Sequence, residues 1–158
     1  MIYPANPRHA RRDVDRQHGY VSFRVADQWL GVPVVVAQEV LTAQAISPVP
    51  LAPAEVAGFL NLRGQIVTAI DLRVRLGLPP REGEGASMNI VVRDGGELFS
   101  FLVDEVGDVV EVDDDRLEPT PPTLEARWRE CCEGVIRRER GLLVVMDVEA
   151  LLRLGAAA

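Results

Sequence analysis

The side chains best suited to covalent chemistry lie next to one another. Cys131 and Cys132 are adjacent and stand between Glu130 and Glu133, so a thiolate beside a carboxylate base is the nucleophilic arrangement that the sequence offers. A disulfide between neighbouring cysteines would close a small, strained ring, and no histidine lies nearby in the sequence. We therefore expect two packed or half-exposed thiols, and an enzyme that uses either cysteine is kept as an alternative hypothesis.

Three further motifs resemble sites without completing one. The stretch "GEGAS" (83–87) lacks the Lys-Ser/Thr ending of a phosphate-binding loop. The acidic run Asp113–Asp115 lacks the turn glycine and the final glutamate of an EF-hand at the required spacing. His9 and His18 lie in a polar N-terminal segment, too far from a fixed framework to complete a Ser-His-Asp triad. We therefore predict a binding module and not an enzyme, without a metal site and without a cofactor.

Composition and charge narrow the class of partner. The chain has 158 residues, of which 47% are hydrophobic, enough to bury a core without metals or disulfides. The net charge of -7 argues against nucleic acid, because phosphate binding needs clustered Lys and Arg. No apolar run is long enough to span a membrane, and the N-terminus lacks the apolar core of a secretion signal. We predict a cytoplasmic protein with no nucleic-acid partner and no direct membrane insertion.

Short β-branched runs predict the elements that would hold a site. Residues 1–18 contain four arginines, two prolines and no apolar period, which predicts a disordered basic tail. From Tyr20 onward polar and apolar residues alternate, as in a half-buried strand. Glycine, proline and charge around 77–88 predict a linker that divides the ordered chain into near halves. Further strands are predicted at 29–36, 66–70, 89–92, 98–103, 109–112, 134–136 and 142–146, which indicates a mainly β fold of small barrels or a sandwich.

The two halves of the ordered chain resemble each other. A shift of 76 residues aligns "GFLNLRGQIVTAIDLRVRLGL" (58–78) with "GVIRRERGLLVVMDVEALLRL" (134–154). Both copies contain a glycine, an apolar stretch, a turn, a strand, an aspartate and a short amphipathic helix. Asp71 and Asp147 are placed as N-caps, where a carboxylate accepts the first free backbone N–H groups. The repeat predicts two related β-barrel subdomains, either separate or exchanging strands or the terminal helix.

Only the first copy contains the turn "NLRG", so this turn is the candidate for function. Asn61 and Gly64 are the residues that tolerate left-handed geometry, and we expect them to hold Arg63 on a tight turn at the rim of a barrel. The alternative is structural, because an arginine at this place can also tie down backbone carbonyls or an acidic side chain.

The order and spacing of these motifs resemble the CheW family, the coupling proteins of bacterial chemosensory arrays. The resemblance rests on "GFLNLRGQIVTAIDLRVRLGL", "YVSFRVAD", "AQEV" at 37–40, "FLVDEVGDVVEV" and "GVIRRERGLLVVMDVEALL". It implies one CheW-like domain over residues 19–155, folded as two packed SH3-like five-stranded β-barrels with short helices.

The resemblance also implies a function without catalysis. Members couple the cytoplasmic hairpin tip of chemoreceptors to the histidine kinase CheA, whose regulatory domain has the same fold, at the membrane-associated receptor array. Glu39, Gly58 and Arg63 match the family's receptor-binding positions; the charges would fix the register of a docked helix, and the glycine would let it approach closely. Ala37 stands where the family commonly has valine, a loss of apolar contact worth about 1 kcal/mol. An adaptor of another chemosensory-type pathway, controlling pili or biofilm through different partners, is the alternative.

Overall fold

Strands form most of the ordered chain. The computed structural model describes residues 19–81, 87–111, 116–139 and 141–154; the predicted basic tail, Asp113–Asp115 and most of "GEGAS" lie outside the described residues. The described strands are β1 Tyr20–Val25, β2 Gln28–Pro33, β3 Ala37–Leu41, β4 Val56–Leu62, β5 Gln65–Asp71, β6 Met88–Asp94, β7 Glu97–Val103, β8 Glu105–Val110, β9 Leu117–Glu118, β10 Cys132–Arg138 and β11 Gly141–Met146. The helices are α1 Leu72–Arg75, α2 Ala126–Glu130 and α3 Val148–Leu151.

The strands form two sheets. The six-stranded sheet has the order β8-β1-β2-β11-β10-β9, and the five-stranded sheet has the order β3-β6-β7-β5-β4. Neighbouring strands are antiparallel except for the pairs β2–β11 and β5–β7. The prediction of a mainly β fold with two subdomains and short helices is confirmed, and one sheet carries β9 as a short sixth strand. In the described part of the chain no helix is long and apolar enough to cross a membrane.

Each half of the chain lends a hairpin to the other half's sheet. The β1–β2 hairpin joins β8 to β11, and the β6–β7 hairpin joins β3 to β5. The two parallel pairs mark these junctions, with Trp29 opposite Leu143 and Thr68 opposite Phe99. The segment predicted as a linker at 77–88 lies between α1 and β6 in the sequence and is partly outside the described residues. Its role as a linker stays a prediction.

Strand β1 differs from its prediction because it is buried on both faces. Phe23 and Val25 are fully buried toward the other sheet. Ser22, expected on a polar face, is only 2% exposed and donates from Oγ to the carbonyl oxygen of Asp108 at 2.5 Å. The predicted strand 29–36 is also shorter, because β2 ends at Pro33 and a 3₁₀ turn follows.

The largest apolar core lies between the sheets and joins the helices to both of them. It contains residues of β1, β2, β6, β7 and β11 together with all three helices. Its largest fully buried members are Phe23, Leu30, Ile70, Leu72, Leu76, Ile90, Phe101, Met146 and Leu151. A smaller cluster lies within each sheet. Since burial of this apolar surface drives folding, we expect the two sheets to unfold together.

The two short helices of the repeat each follow an aspartate. Oδ1 of Asp71 accepts from the backbone N–H groups of Arg73 at 2.9 Å and Val74 at 3.4 Å. Oδ1 of Asp147 accepts from the N–H of Ala150 at 3.3 Å. Both aspartates have extended backbone geometry, as N-cap residues do. The strand-to-helix corner is thus built in the same way in both copies.

Replacing Asp71 with alanine is expected to lower the free energy of unfolding by about 1 kcal/mol, because the first N–H groups of α1 lose their acceptor. Urea-induced unfolding measures the difference. Glu97→Ala, at an exposed carboxylate, is the control and should change stability by less than about 0.5 kcal/mol. Equal effects of the two substitutions would mean that the cap contributes nothing.

Candidate functional site

The β4–β5 turn presents Arg63 at the tip of a hairpin. Leu62 pairs with Gln65, so Arg63 and Gly64 form a two-residue turn, and both have positive φ, +52° and +86°. This geometry is that of a type I′ turn, which matches the twist of the flanking strands. Left-handed geometry was predicted for Asn61 as well, but Asn61 lies in β4. Its Oδ1 instead accepts from the N–H of Gly64 at 2.8 Å, which fixes the turn.

Arg63 forms a two-point ion pair with Glu39 across the five-stranded sheet. Nη1 of Arg63 donates to Oε2 of Glu39 at 3.3 Å, and Nη2 donates to Oε1 in a shorter contact. Glu39 lies on β3 and Arg63 follows β4, and these are the two edge strands of the sheet. Ser47, in the segment between β3 and β4, pairs with Phe59 of β4 through hydrogen bonds of 2.8 and 2.9 Å. The ion pair therefore connects β3 to the turn that follows β4.

Both members of the pair are charged at neutral pH and reach solvent. The hydrogen bond from Arg63 lowers the pKa of Glu39 more than partial burial raises it. The same bond raises the pKa of Arg63. The Arg63 side chain is 71% exposed and that of Glu39 is 29% exposed. Arg63 therefore binds an acidic side chain of its own chain, which is the structural role that the sequence left open. Exposed ion pairs of this kind contribute little to stability.

A polar cleft of about 300 Å³ opens beside this pair. Besides Glu39 and Arg63 its lining residues are Gln38, Leu62, Gln65, Val91, Arg93 and Leu98. These side chains offer amides, guanidinium groups and a carboxylate, which can bind polar side chains of a partner and hold no nucleophile. We call this feature the Glu39–Arg63 cleft.

Gly58 allows the backbone of β4 to lie close to the backbone at Ser47. Its φ is +149°, and a Cβ would lie 2.2 Å from the carbonyl oxygen of Ser47. Gly134, its counterpart in the repeat, would place a Cβ 2.5 Å from the carbonyl oxygen of Glu118. Both glycines lie at a break in strand register. The glycine thus sets the position of β4, the strand that leads to Arg63, and its contact with a receptor helix stays a prediction.

The two cysteines are free thiols, as the sequence predicts. Burial raises the pKa of Cys131, which is fully buried. Burial also raises the pKa of Cys132, against a smaller lowering by the Thr120 hydroxyl at 3.4 Å. Both groups are therefore protonated at neutral pH and weakly nucleophilic. Within the described ranges no group of three potential metal ligands occurs, and nothing there favours the cysteine-enzyme hypothesis.

Arg75 is a buried link between the repeated helices that sequence reasoning missed. It is 8% exposed, and its Nε and Nη2 donate to the carbonyl oxygens of Leu151 and Ala150, both at 3.0 Å. Leu151 occupies the position in the second copy that Arg75 occupies in the first. An arginine on the apolar face of a short helix, between Leu72 and Leu76, was the signal that could have identified it.

Asp104, a second missed residue, lies where β7 of one sheet leads into β8 of the other. Its Oδ2 accepts from Nη2 of Arg73 at 2.7 Å and from the N–H of Ala26 at 2.6 Å. Nε of Arg81 lies 3.7 Å from Oδ1. The side chain is 7% exposed. Asp104 thereby joins the β1–β2 turn to the segment that follows α1.

The interleaved sheets and the ion pair at one rim define a small β-rich protein with a site suited to binding. Residues 19–155 match the family model described as the CheW-like domain. The chain therefore belongs to the CheW-like domain family, as its sequence motifs predicted.

Curated relatives and a solved structure resemble the chain along most of its length. The chemotaxis protein CheW of Rhizobium meliloti (strain 1021) is 30% identical over 131 residues, 83% of this chain and 84% of that protein. The chemotaxis protein CheW of Treponema pallidum (strain Nichols) is 25% identical over 141 residues, 87% of this chain and 83% of that protein. The crystal structure of the scaffolding protein TtCheW from Thermoanaerobacter tengcongensis superimposes with a TM-score of 0.78 at 27% identity, covering 88% of this chain and 94% of that one.

Proposed function

We propose that the chain is a non-enzymatic adaptor that couples the cytoplasmic tips of chemoreceptors to a CheA-type histidine kinase. Its place would be the cytoplasm, at the membrane-associated receptor array. The observation that carries the proposal is the exposed Glu39–Arg63 pair, since family resemblance assigns receptor binding to both residues and the fold brings them into contact from opposite sheet edges. The curated relatives named as chemotaxis proteins support the same function.

Apolar surface beside the charged pair suits the face of a receptor helix. Val40 follows Glu39 on β3 and is 43% exposed. Phe59 and Ile66, on the outer face of the β4–β5 hairpin, are 39% and 60% exposed. A helix docked here would gain affinity from apolar contacts, and the charges would fix its register and exclude wrong partners.

The adaptor needs no chemistry of its own to transmit a signal. If receptor and kinase bind the same rigid pair of sheets, a small shift of the receptor tip biases the kinase between two states. The core between the sheets and the Arg75 and Asp104 links supply that rigidity. TtCheW, the solved relative, is likewise a scaffolding protein.

Arg63→Ala is expected to leave the fold near intact and to weaken binding of a soluble receptor-tip fragment at least about 10-fold. The receptor would lose its contact with the guanidinium group, and Glu39 would lose its two-point ion pair. Isothermal titration calorimetry measures binding, and thermal unfolding measures stability. Arg137→Ala, which breaks an equally exposed pair with Glu118 on the other sheet, is the matched control and should bind normally.

Two outcomes would contradict this role for Arg63. Unchanged receptor affinity in Arg63→Ala would remove the residue from the interface. Loss of most of the thermal stability would make Arg63 mainly a structural clamp, although exposed pairs rarely have that effect.

Ala37 bears on which pathway the adaptor serves. It is half-buried, lies opposite Val92 and packs against the core between the sheets, so a valine here would add apolar surface beside β3.

An adaptor for pili or biofilm control would differ in its partners. A pull-down from native cell extract, probed for a receptor and a CheA-type kinase, decides between the pathways by the receptor that it recovers. Recovery of neither would contradict the proposal.

A further inference from the structure

The repeat places a second cavity on the six-stranded sheet, at the position where the five-stranded sheet has the Glu39–Arg63 cleft. This Arg138 cavity has a volume of about 130 Å³ and is lined by Ser22, Trp29, Gly107, Asp108 and Arg138. Asp108 lies beside the register break between β1 and β8, just as Glu39 lies beside the break between β3 and β6. The two cavities are therefore equivalent places in the two halves.

The two rims carry similar groups in different arrangements. The shift of 76 residues aligns Arg63 with Glu139 and Leu62 with Arg138. The six-stranded rim therefore has its arginine one residue earlier, on β10 and on the same face as buried Ile136. Whereas Arg63 is paired with Glu39, Nε of Arg138 is buried and has no hydrogen-bond partner in the described part of the chain.

A buried, unpaired N–H of a charged group needs an acceptor. Native proteins pair nearly all such groups, because desolvation without a hydrogen bond costs free energy. Neighbouring Asp108 is exposed, and within the described ranges its hydrogen bond to this rim uses the backbone oxygen, which accepts from Ser22. Nε itself is closed to solvent, but the Arg138 side chain lines the cavity. An acceptor for its guanidinium group is therefore expected from another molecule that enters the cavity.

The rest of the cavity favours a carboxylate on a short apolar stem. A Cβ on Gly107 would lie 2.7 Å from both Ser22 Oγ and Trp29 Cζ3, so the glycine lets the indole ring lie against the backbone as an apolar wall. The guanidinium group of Arg138 suits a carboxylate in charge and geometry. The volume has room for the end of one aspartate or glutamate side chain and not for a larger solute.

We propose that the Arg138 cavity binds a glutamate or aspartate side chain of a protein partner. The exposed carboxylates of Asp108 and Glu139 at the rim favour a partner segment in which that acidic residue is flanked by lysine or arginine. The inference goes beyond the proposed function, because it uses neither Glu39 nor Arg63 and would stand if receptor binding at those residues failed.

Arginine Nε–Hε resonances of the ¹⁵N-labelled full chain test the proposal. The probe is the peptide Ac-Lys-Glu-Lys-NH₂ at up to about 20 mM, since one charge-assisted pair gives a dissociation constant of millimolar order. Its matched control is Ac-Lys-Gln-Lys-NH₂. We expect the glutamate peptide to shift the Arg138 Nε–Hε signal and the Trp29 indole signal in a saturable way, and the glutamine peptide to leave both in place.

Variants identify the signal and separate binding from misfolding. Arg138→Gln assigns the resonance and should abolish the Trp29 response, and Arg138→Lys serves the same purpose should the glutamine variant fail to fold. Arg137→Gln, at the exposed neighbouring arginine, should respond like the unchanged chain. The proposal would be overturned by equal shifts with both peptides or by no shift with the glutamate peptide. It would also be overturned if acetate alone gave the same shift at equal concentration, because the site would then bind small free anions only.

Discussion

Replacing Arg75 with methionine is expected to lower the free energy of unfolding by about 3 kcal/mol. Methionine keeps much of the volume, so the loss comes from the two hydrogen bonds to Leu151 and Ala150 at the end of α3. A hydrogen bond from a charged group contributes about 1.5–3 kcal/mol, and a buried carbonyl left without a donor costs about 1–3 kcal/mol. Urea-induced unfolding measures the loss as a lower midpoint with an unchanged slope.

The control for Arg75→Met is the same exchange at Arg129. Arg129 lies on α2 and is exposed, so its replacement should change stability by less than about 0.5 kcal/mol. If Arg75→Met cost less than about 1 kcal/mol, water would be satisfying the carbonyls of α3, and the link between the helices would be unimportant for stability.

Replacing Asp104 with asparagine is expected to lower the free energy of unfolding by about 2–3 kcal/mol. The amide oxygen can still accept from the N–H of Ala26, but Arg73 and Arg81 lose their countercharge. Removing one partner of a fully buried pair costs about 3–5 kcal/mol, and the arginine side chains here are 17% and 27% exposed, so solvent screening reduces the loss. Denaturant unfolding at neutral pH gives the value.

The effect of Asp104→Asn on the free energy of unfolding is expected to depend on pH. Burial raises the pKa of Asp104, but hydrogen bonds from Arg73 and Ala26 and the charges of Arg73 and Arg81 outweigh it, so the folded-state pKa lies below the ordinary value of 3.8. The carboxylate therefore stabilises the fold above pH 3.8, and this contribution is lost as the pH falls through the folded-state pKa.

The difference in unfolding free energy between the unchanged chain and Asp104→Asn, measured from about pH 7 to pH 2.5, isolates this effect. The difference should stay constant above about pH 5 and shrink below it. Glu39, whose pKa is also lowered, titrates in both proteins, so its contribution cancels. A difference that does not change with pH would show that Asp104 is not the group responsible.

Local sequence patterns were sufficient to predict several strands and the two strand-to-helix corners. Runs of β-branched and other apolar residues predicted β5, β7 and β11, because each of these strands places several apolar side chains in a core. The aspartates before α1 and α3 could be identified because capping joins residues only two or three apart. Strands β3 and β4 were not predicted, since Gln38 and Glu39 on one and Gly58 and Asn61 on the other interrupt any apolar period.

Long-range contacts account for the residues that sequence reasoning missed. Arg75 and Asp104 bind groups 76 and 78 residues away, and no local pattern reports such a partner. The turn at Arg63 was predicted, and Gly64 has the left-handed geometry expected of it, but Asn61 does not. Asn61 instead accepts a hydrogen bond across the turn, so Arg63 adopts the positive φ.

The exchange of hairpins has a consequence for how the chain folds. Neither sheet can form from one half alone, because β2 must find β11 and β7 must find β5 across long stretches of sequence. Such non-local pairing loses much loop entropy before its contacts are made, which slows folding. Unfolding intermediates with one sheet intact are therefore disfavoured. The chain resembles two half-length molecules that dimerise by swapping hairpins. Because the two halves are covalently joined, each half always has its partner half in the same molecule.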